Sequence, residues 1–293
     1  MPALPDAVRS DLLAHVGEVR QAEAVGGGCI ANATRIDAEQ GRFFLKWSDS
    51  DAGRTFEAEG AGLRALAAAD SPLRIPQPLL ARDATRDSPG LLLMAWIEPG
   101  QRGSGFWTDS GTALAALHRT TSADGRYGFD RSNFIGRLPQ PNGWRARWPD
   151  FFRSERLAPQ IERARASGGW QPSWDELADR LLGRLGDLLP GEPPASVLHG
   201  DLWSGNFLAA SDGRAALIDP ATYYGHREAD LAMTELFGGF DRRFYDAYRA
   251  AWPLEPGYEE RREVYNLYHL INHLNHFGSG YAGGVERTLR RFG

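Results

Sequence analysis

Apolar positions along the first third of the chain follow two rhythms. Residues 6–20 (DAVRSDLLAHVGEVR) carry an amphipathic helical pattern, which Gly26-Gly27-Gly28 is expected to break. Ile30–Ile36 and Arg42–Trp47 read as strands joined by a turn at Glu39-Gln40-Gly41. Phe56, Leu63 and Leu66 mark a helix over 51–69, ended by Pro72, Pro76 and Pro78. Leu79–Arg82 and Leu91–Ile97 read as two further strands. The Gly/Ser-rich run PGQRGSG then suggests a linker and a boundary near residue 98. Beyond it, helical periodicity dominates: 106–120, 145–165, 174–188, 227–237, 243–251, 258–277 and 284–291. A short β-rich insert occupies 196–219. The pattern predicts an α/β (α+β) protein with a small β-rich part, 1–98, and a larger helical part, 99–293.

Composition narrows the function classes. The 293 residues are 42% hydrophobic and 24% charged, which suits a folded core. A net charge of -5 argues against a broad basic surface for nucleic acid. The longest apolar runs are far too short for a transmembrane helix, and the N-terminal stretch lacks the apolar core of a signal peptide. Cys29 is the single cysteine, so neither an internal disulfide nor a multi-cysteine metal site is expected. A reducing, cytoplasmic setting fits that usage. Lys and Arg total 33, yet Lys46 is the only lysine. A compact ammonium differs from a guanidinium fork where a point charge must reach a phosphate.

The chemistry concentrates in Val197-Leu198-His199-Gly200-Asp201-Leu202-Trp203-Ser204-Gly205-Asn206, followed by Ala216-Leu217-Ile218-Asp219. Phosphoryl transfer to a hydroxyl needs a carboxylate to accept the proton and oxygen ligands for magnesium. Asp201 and Asn206 offer the base and one ligand, and Asp219 offers the other. Singly, each would read as a turn residue. The glycines at 26, 27 and 28 can bring backbone N–H groups to phosphate oxygens, and Lys46 follows on the second strand. Glu59 in the next helix can pair with Lys46. Glu57 competes, but the two sit on different faces and only one can point inward.

These segments, with Asn142-Gly143-Trp144, Trp148-Pro149-Asp150-Phe151-Phe152, the run from Ile218 to Met233, Phe237-Gly238-Gly239-Phe240 and the run from Asn272 to Gly278, resemble the fructosamine kinase (ketosamine-3-kinase) family. That family lies within the protein-kinase-like and aminoglycoside-phosphotransferase-like superfamily. The resemblance implies a two-lobed kinase-like fold and phosphorylation of the 3-hydroxyl of a ketosamine with ATP and Mg2+. The phosphorylated sugar then leaves its amine spontaneously, which starts deglycation. By motif, Asp201 becomes the catalytic base, and Asn206 and Asp219 hold magnesium. Lys46, paired with Glu59, contacts phosphates. Met94, Trp96, Ile97 and Glu98 belong to the adenine-binding hinge. Trp203 can stack on the sugar-amine or simply pack. Asp219 is followed by Pro220 rather than Phe-Gly, which argues against a mobile activation segment.

His269, His273 and His276 share one face of a helix, but Leu270-Ile271-Asn272 lacks the glutamate of a zincin motif. Packing and hydrogen bonding are expected there, and the resemblance places His273 or His276 at the acceptor site. It also implies redox regulation through an intermolecular disulfide at Cys29, hence a monomer or a redox-sensitive homodimer. The acceptor is a free or protein-linked ketosamine, with ribulosamines or erythrulosamines preferred over fructosamines. Two alternatives stay open: a kinase of another hydroxylated amine, aminoglycoside- or choline-like, and a non-catalytic nucleotide-binding protein.

Overall fold

The computed structural model describes residues 4–26 and 31–293. The expected phosphate-loop residues Gly27 and Gly28, and Cys29, lie outside them. Five antiparallel strands form the N-terminal sheet: β1 (Val19–Ala24), β2 (Asn32–Ala38), β3 (Gly41–Ser48), β4 (Pro78–Arg82) and β5 (Gly90–Ala95). Their order is β1-β2-β3-β5-β4. Alternation along β5 explains why both faces are covered. Leu91 and Leu93 point toward Val8, Leu12 and Val16 of α1 (Asp6–Val16), whereas Leu92 and Met94 point toward Phe56 and Leu63 of α2 (Phe56–Ala67).

The first helix is shorter than its sequence pattern predicts. It ends at Val16 because Gly17 turns left-handed, at φ +77°. The residues after it form β1, an edge strand in which only Ala22 is buried. An edge strand so polar on both faces carries little alternation, so it reads as helix. The strand expected over Leu91–Ile97 stops at Ala95, and residues 96–98 leave the sheet.

The remainder is mainly helical: α3 (Phe106–His118), α4 (Trp148–Phe151), α5 (Ala158–Ala166), α6 (Asp175–Leu188), α7 (Glu228–Leu236), α8 (Arg242–Ala251), α9 (Tyr258–Phe277) and α10 (Ala282–Phe292). A π-helical turn, Phe152–Leu157, joins α4 to α5. Two short hairpins are β6 (Asn133–Ile135) with β7 (Leu138–Gln140), and β9 (Phe207–Ala209) with β10 (Ala215–Leu217). The strand β8 (Ala195–Leu198) pairs with β11 (Tyr223–His226). Neither β6–β7 nor β11 was expected; three- and four-residue strands are too short to show a period. Trp148, Phe151, Phe152 and Tyr265 are fully buried at the centre of this part. Backbone bonds between Arg74 and both Ala215 and Leu217, and from the Ser211 N–H to the Glu98 carbonyl, tie the two parts together. No helix among the described residues is long and apolar enough to cross a membrane.

Candidate active site

The strand β8 ends at Leu198 and delivers His199-Gly200-Asp201 into a sharp turn. Gly200 adopts φ +82°, and a Cβ there would lie 2.1 Å from the Ala221 carbonyl oxygen, so only glycine fits. Asp230, at the start of α7, anchors this turn. Its two oxygens accept from the His199 N–H at 2.7 Å and the Gly200 N–H at 2.9 Å. Burial works against that charge, yet His118 and His199 together with these donors hold the Asp230 carboxyl below the usual range. His118 lies 3.3 Å from Asp230 and 2.8 Å from the Tyr248 hydroxyl. His199 donates from Nε2 to the Ile218 carbonyl at 2.8 Å, and its Nδ1 accepts from the Asp201 N–H at 3.2 Å. Asp230 and His118 were missed in the sequence, since nothing local marks a carboxylate that acts on a loop thirty residues away.

Asp201 and Asn206 face each other. The Asn206 amide nitrogen donates to the Asp201 backbone oxygen at 2.9 Å and to its carboxylate at 3.3 Å. Burial and the nearby charge of Asp219 push the Asp201 carboxyl up to about 7, against the Asn206 hydrogen bond. That value suits a group that must accept a proton near neutral pH.

Lys46 joins the two halves of the site. Its Nζ donates to Glu59 Oε1 and to Asp219 Oδ1, each at 2.7 Å. Burial alone would strip its proton; the two carboxylates reverse this and keep it well above the ordinary lysine value. Glu59 is pushed up by burial and by Asp219, although Lys46 opposes the shift. The choice between the two glutamates is thereby resolved. Glu57 turns away, 3.6 Å from Arg131, while its N–H caps on Asp83.

The other expected residues are more scattered. Met94 is buried against Phe56 and Leu63. Trp96 packs on Phe44 and donates to Glu98 at 3.2 Å, and Glu98 pairs with Arg42 at 2.9 Å. Ile97 lies half-buried between them. Gly26 occupies an exposed turn with open space around its Cα. Trp203 is 41% exposed, and its ring covers Gly205 so closely that a Cβ there would collide with it. His273 bonds the His269 carbonyl at 2.8 Å and packs between Phe237 and Tyr281, whereas His276 bonds the Ile135 carbonyl at 3.1 Å. Burial pushes His269 down to about 3. The three histidines thus serve separate contacts, and the described residues hold no group of three or more His, Cys, Asp or Glu arranged for a metal.

The donor set nevertheless fits a hard cation. The Asn206 nitrogen is committed to Asp201, which leaves its amide oxygen as the coordinating atom. Asp219 is 47% exposed on its side chain and spends one oxygen on Lys46. Oxygen donors of this kind suit magnesium beside phosphates. The arrangement as a whole is that of a two-lobed kinase-like fold.

Comparison with known proteins agrees with this geometry. The family model for fructosamine kinase matches residues 5–292. A Synechocystis protein named a probable ketoamine kinase is 39% identical over 93% of this chain and 90% of its own length. A chloroplastic protein-ribulosamine 3-kinase of Oryza sativa subsp. indica is 37% identical over 91% of this chain and 77% of its own. The crystal structure of a protein assigned as a fructosamine-3-kinase from Thermobifida fusca superposes with a TM-score of 0.88 at 31% identity, covering 98% of both chains. A lysine held between two carboxylates, an Asp–Asn pair on the facing loop and a match that runs from residue 5 to residue 292 lead to one conclusion: this chain belongs to the fructosamine kinase family.

Proposed function

We propose that this protein transfers the γ-phosphoryl group of ATP to the 3-hydroxyl of a ketosamine, and so starts removal of the sugar from its amine. Residues up to about 98 act as the nucleotide lobe, and 99–293 carry the catalytic loop and the acceptor site. The observation that carries the reading is Lys46, bonded to both Glu59 and Asp219 at 2.7 Å across from the Asp201–Asn206 pair. Magnesium, held by Asn206 and Asp219, would neutralise charge that develops on the phosphates. Lys46 steadies the phosphates, with Glu59 fixing its direction. Gly26, Gly27 and Gly28 offer backbone N–H groups to the same phosphates. The hinge from Met94 to Glu98, including Trp96 and Ile97, borders the adenine.

Asp201 accepts the proton as the acceptor oxygen bonds to the γ-phosphorus. The bond from that phosphorus to the bridging oxygen of ADP breaks, and ADP leaves with the electron pair. Trp203 and His273 or His276 line the sugar side. Phosphoryl transfer is therefore split between groups that hold ATP and one group that handles the acceptor proton.

The test is ADP release with Mg2+ and a panel of acceptors: ribulosamine, erythrulosamine and fructosamine adducts of one amine, an aminoglycoside and choline. The expected order of kcat/KM puts ribulosamine or erythrulosamine first, then fructosamine. A preference for the aminoglycoside or choline would overturn the acceptor class, and no turnover with any acceptor would favour a non-catalytic nucleotide-binding role.

A further inference from the structure

Asp219 is the sole non-glycine residue at positive φ among the described residues, at +54°. A left-handed conformation is disfavoured for an aspartate. Pro220 adds to the strain, since a residue before proline is pushed toward extended backbone. Such a conformation persists only where its surroundings over-determine it.

Three buried amides lie beneath the segment that follows Asp219. Gln140 Nε2 donates to the Ala221 carbonyl at 3.0 Å and to Asn133 Oδ1 at 2.8 Å. Asn133 Nδ2 donates to the Thr222 carbonyl at 2.8 Å. Asn142 Nδ2 donates to Asn133 Oδ1 at 3.0 Å. The Ala221 N–H is held as well, by the His199 carbonyl at 2.8 Å.

The direction of the chain of bonds is imposed from its ends. Arg156 can only donate, so the oxygen of Asn142 must face it, at 2.7 Å. The nitrogen of Asn142 must then point at Asn133, whose own nitrogen is left for Thr222. At the other end the Ala221 carbonyl can only accept, so the Gln140 nitrogen must face it, and the Tyr268 hydroxyl donates to the Gln140 Oε1 left over, at 2.6 Å. Arg156 is fully buried, and among the described residues it has no carboxylate partner. It lies 3.9 Å above the Tyr223 ring and 4.6 Å above Phe151, and it also donates to the Pro141 carbonyl at 2.7 Å. Carbonyl oxygens and aromatic faces offset part of the cost of burying this cation, and its Nη2 donor fixes the orientation of the Asn142 amide.

We propose that Asn133, Gln140 and Asn142, oriented by Arg156 and Tyr268, are positioning residues that hold Asp219 in its left-handed conformation and so preset the carboxylate toward the cation. This rests on the reading of Asp219 as a magnesium-holding residue.

The test uses the full chain without turnover. Mn2+ binding is followed by electron paramagnetic resonance with a non-hydrolysable ATP analogue present, and hydrogen exchange at the Ala221 amide is followed in metal-free protein. Gln140→Met removes both donors. It should weaken Mn2+ binding about tenfold and speed exchange at Ala221 by a similar factor, while metal-free binding of the analogue stays within twofold. Tyr268→Phe, a milder change that frees Gln140 to turn, should move both readouts the same way by about threefold, and it carries the test if Gln140→Met does not fold. Wild-type Mn2+ affinity and wild-type exchange in the variant that folds would overturn the proposal, whereas a drop in melting temperature alone would mark the relay as purely structural and overturn it too. Asp219→Ala separates the two readings. If it binds Mn2+ as tightly as the wild type, the assignment of Asp219 is wrong, and the exchange rate at Ala221 still decides whether the relay holds the segment.

Discussion

Asp201 and Lys46 show at the scale of single residues how burial and charge set chemistry. Burial and the nearby charge of Asp219 push the Asp201 carboxyl up to about 7. If Asp201 is the base proposed here, its protonation below that pH blocks acceptance of the proton, so kcat/KM should fall on the acid side of neutrality. A cation at Asp219 would offset the repulsion, and the limb should move to lower pH as magnesium is raised. Asp201→Asn should lower kcat by roughly 10²–10⁴-fold while binding of an ATP analogue changes only a few fold. The stability effect has a definite sign. A folded-state pKa above the unfolded value means that stability is lost as pH rises from about 4 toward 7. Asp201→Asn should therefore raise the melting temperature at pH 8, and the gain should shrink by pH 5. A thermal scan at the two pH values checks it; an equal effect at both would argue against a strained carboxylate. Lys46→Arg should lower kcat/KM for ATP at least tenfold, since a planar fork cannot take the place of an ammonium held at 2.7 Å from two separate carboxylates.

At the scale of elements, α2 carries Glu59 and is packed very closely on both sides. A Cβ on Gly60 would lie 2.8 Å from the Ala81 methyl, and one on Gly62 would lie 2.9 Å from Thr222 Oγ1. The helix can therefore sit against the β4 edge and against the segment after Asp219 at once. Gly62→Ala should improve helix propensity by about 1 kcal/mol yet push α2 off Thr222. The expected outcome is a melting temperature within a few degrees of wild type with a KM for ATP raised several fold, because the Lys46–Glu59 pair is displaced. Unchanged ATP kinetics would show that the close packing has no bearing on the site. The sequence pattern placed α2 and the long C-terminal helices well, because their apolar faces repeat every three to four residues. It failed at β1 and at the β6–β7 hairpin, where strands are short or exposed on both faces and no period can build up.

At the scale of the whole molecule, the proposed nucleotide and acceptor parts meet at the candidate site, and the one cysteine is tested by whether copies join through it. Cys29 lies outside the described residues, and as a lone cysteine it can form a disulfide only between molecules. Mild oxidation should produce a dimer on a non-reducing gel, with kinase activity changed reversibly by a thiol reductant and Cys29→Ser insensitive. A monomer throughout, with constant activity, would leave Cys29 without a redox role.

The sequence by itself singled out the residues proposed here for catalysis. Asp201, Asn206 and Asp219 stand at spacings that suit phosphoryl transfer, Lys46 is the only lysine, and the segments around them carry the family likeness. Those are local patterns, and local patterns survive in a string of letters. Only the tertiary structure decided that Asp230 grips the turn at His199 and Gly200 and that Arg156 bonds the Asn142 amide beneath Asp219, and it shows Lys46 meeting Glu59, the partner the family resemblance gave it. Each of these is a contact between residues far apart along the chain. Its partner is set by how helices and strands pack, through burial and donor–acceptor matching, and no spacing rule encodes that.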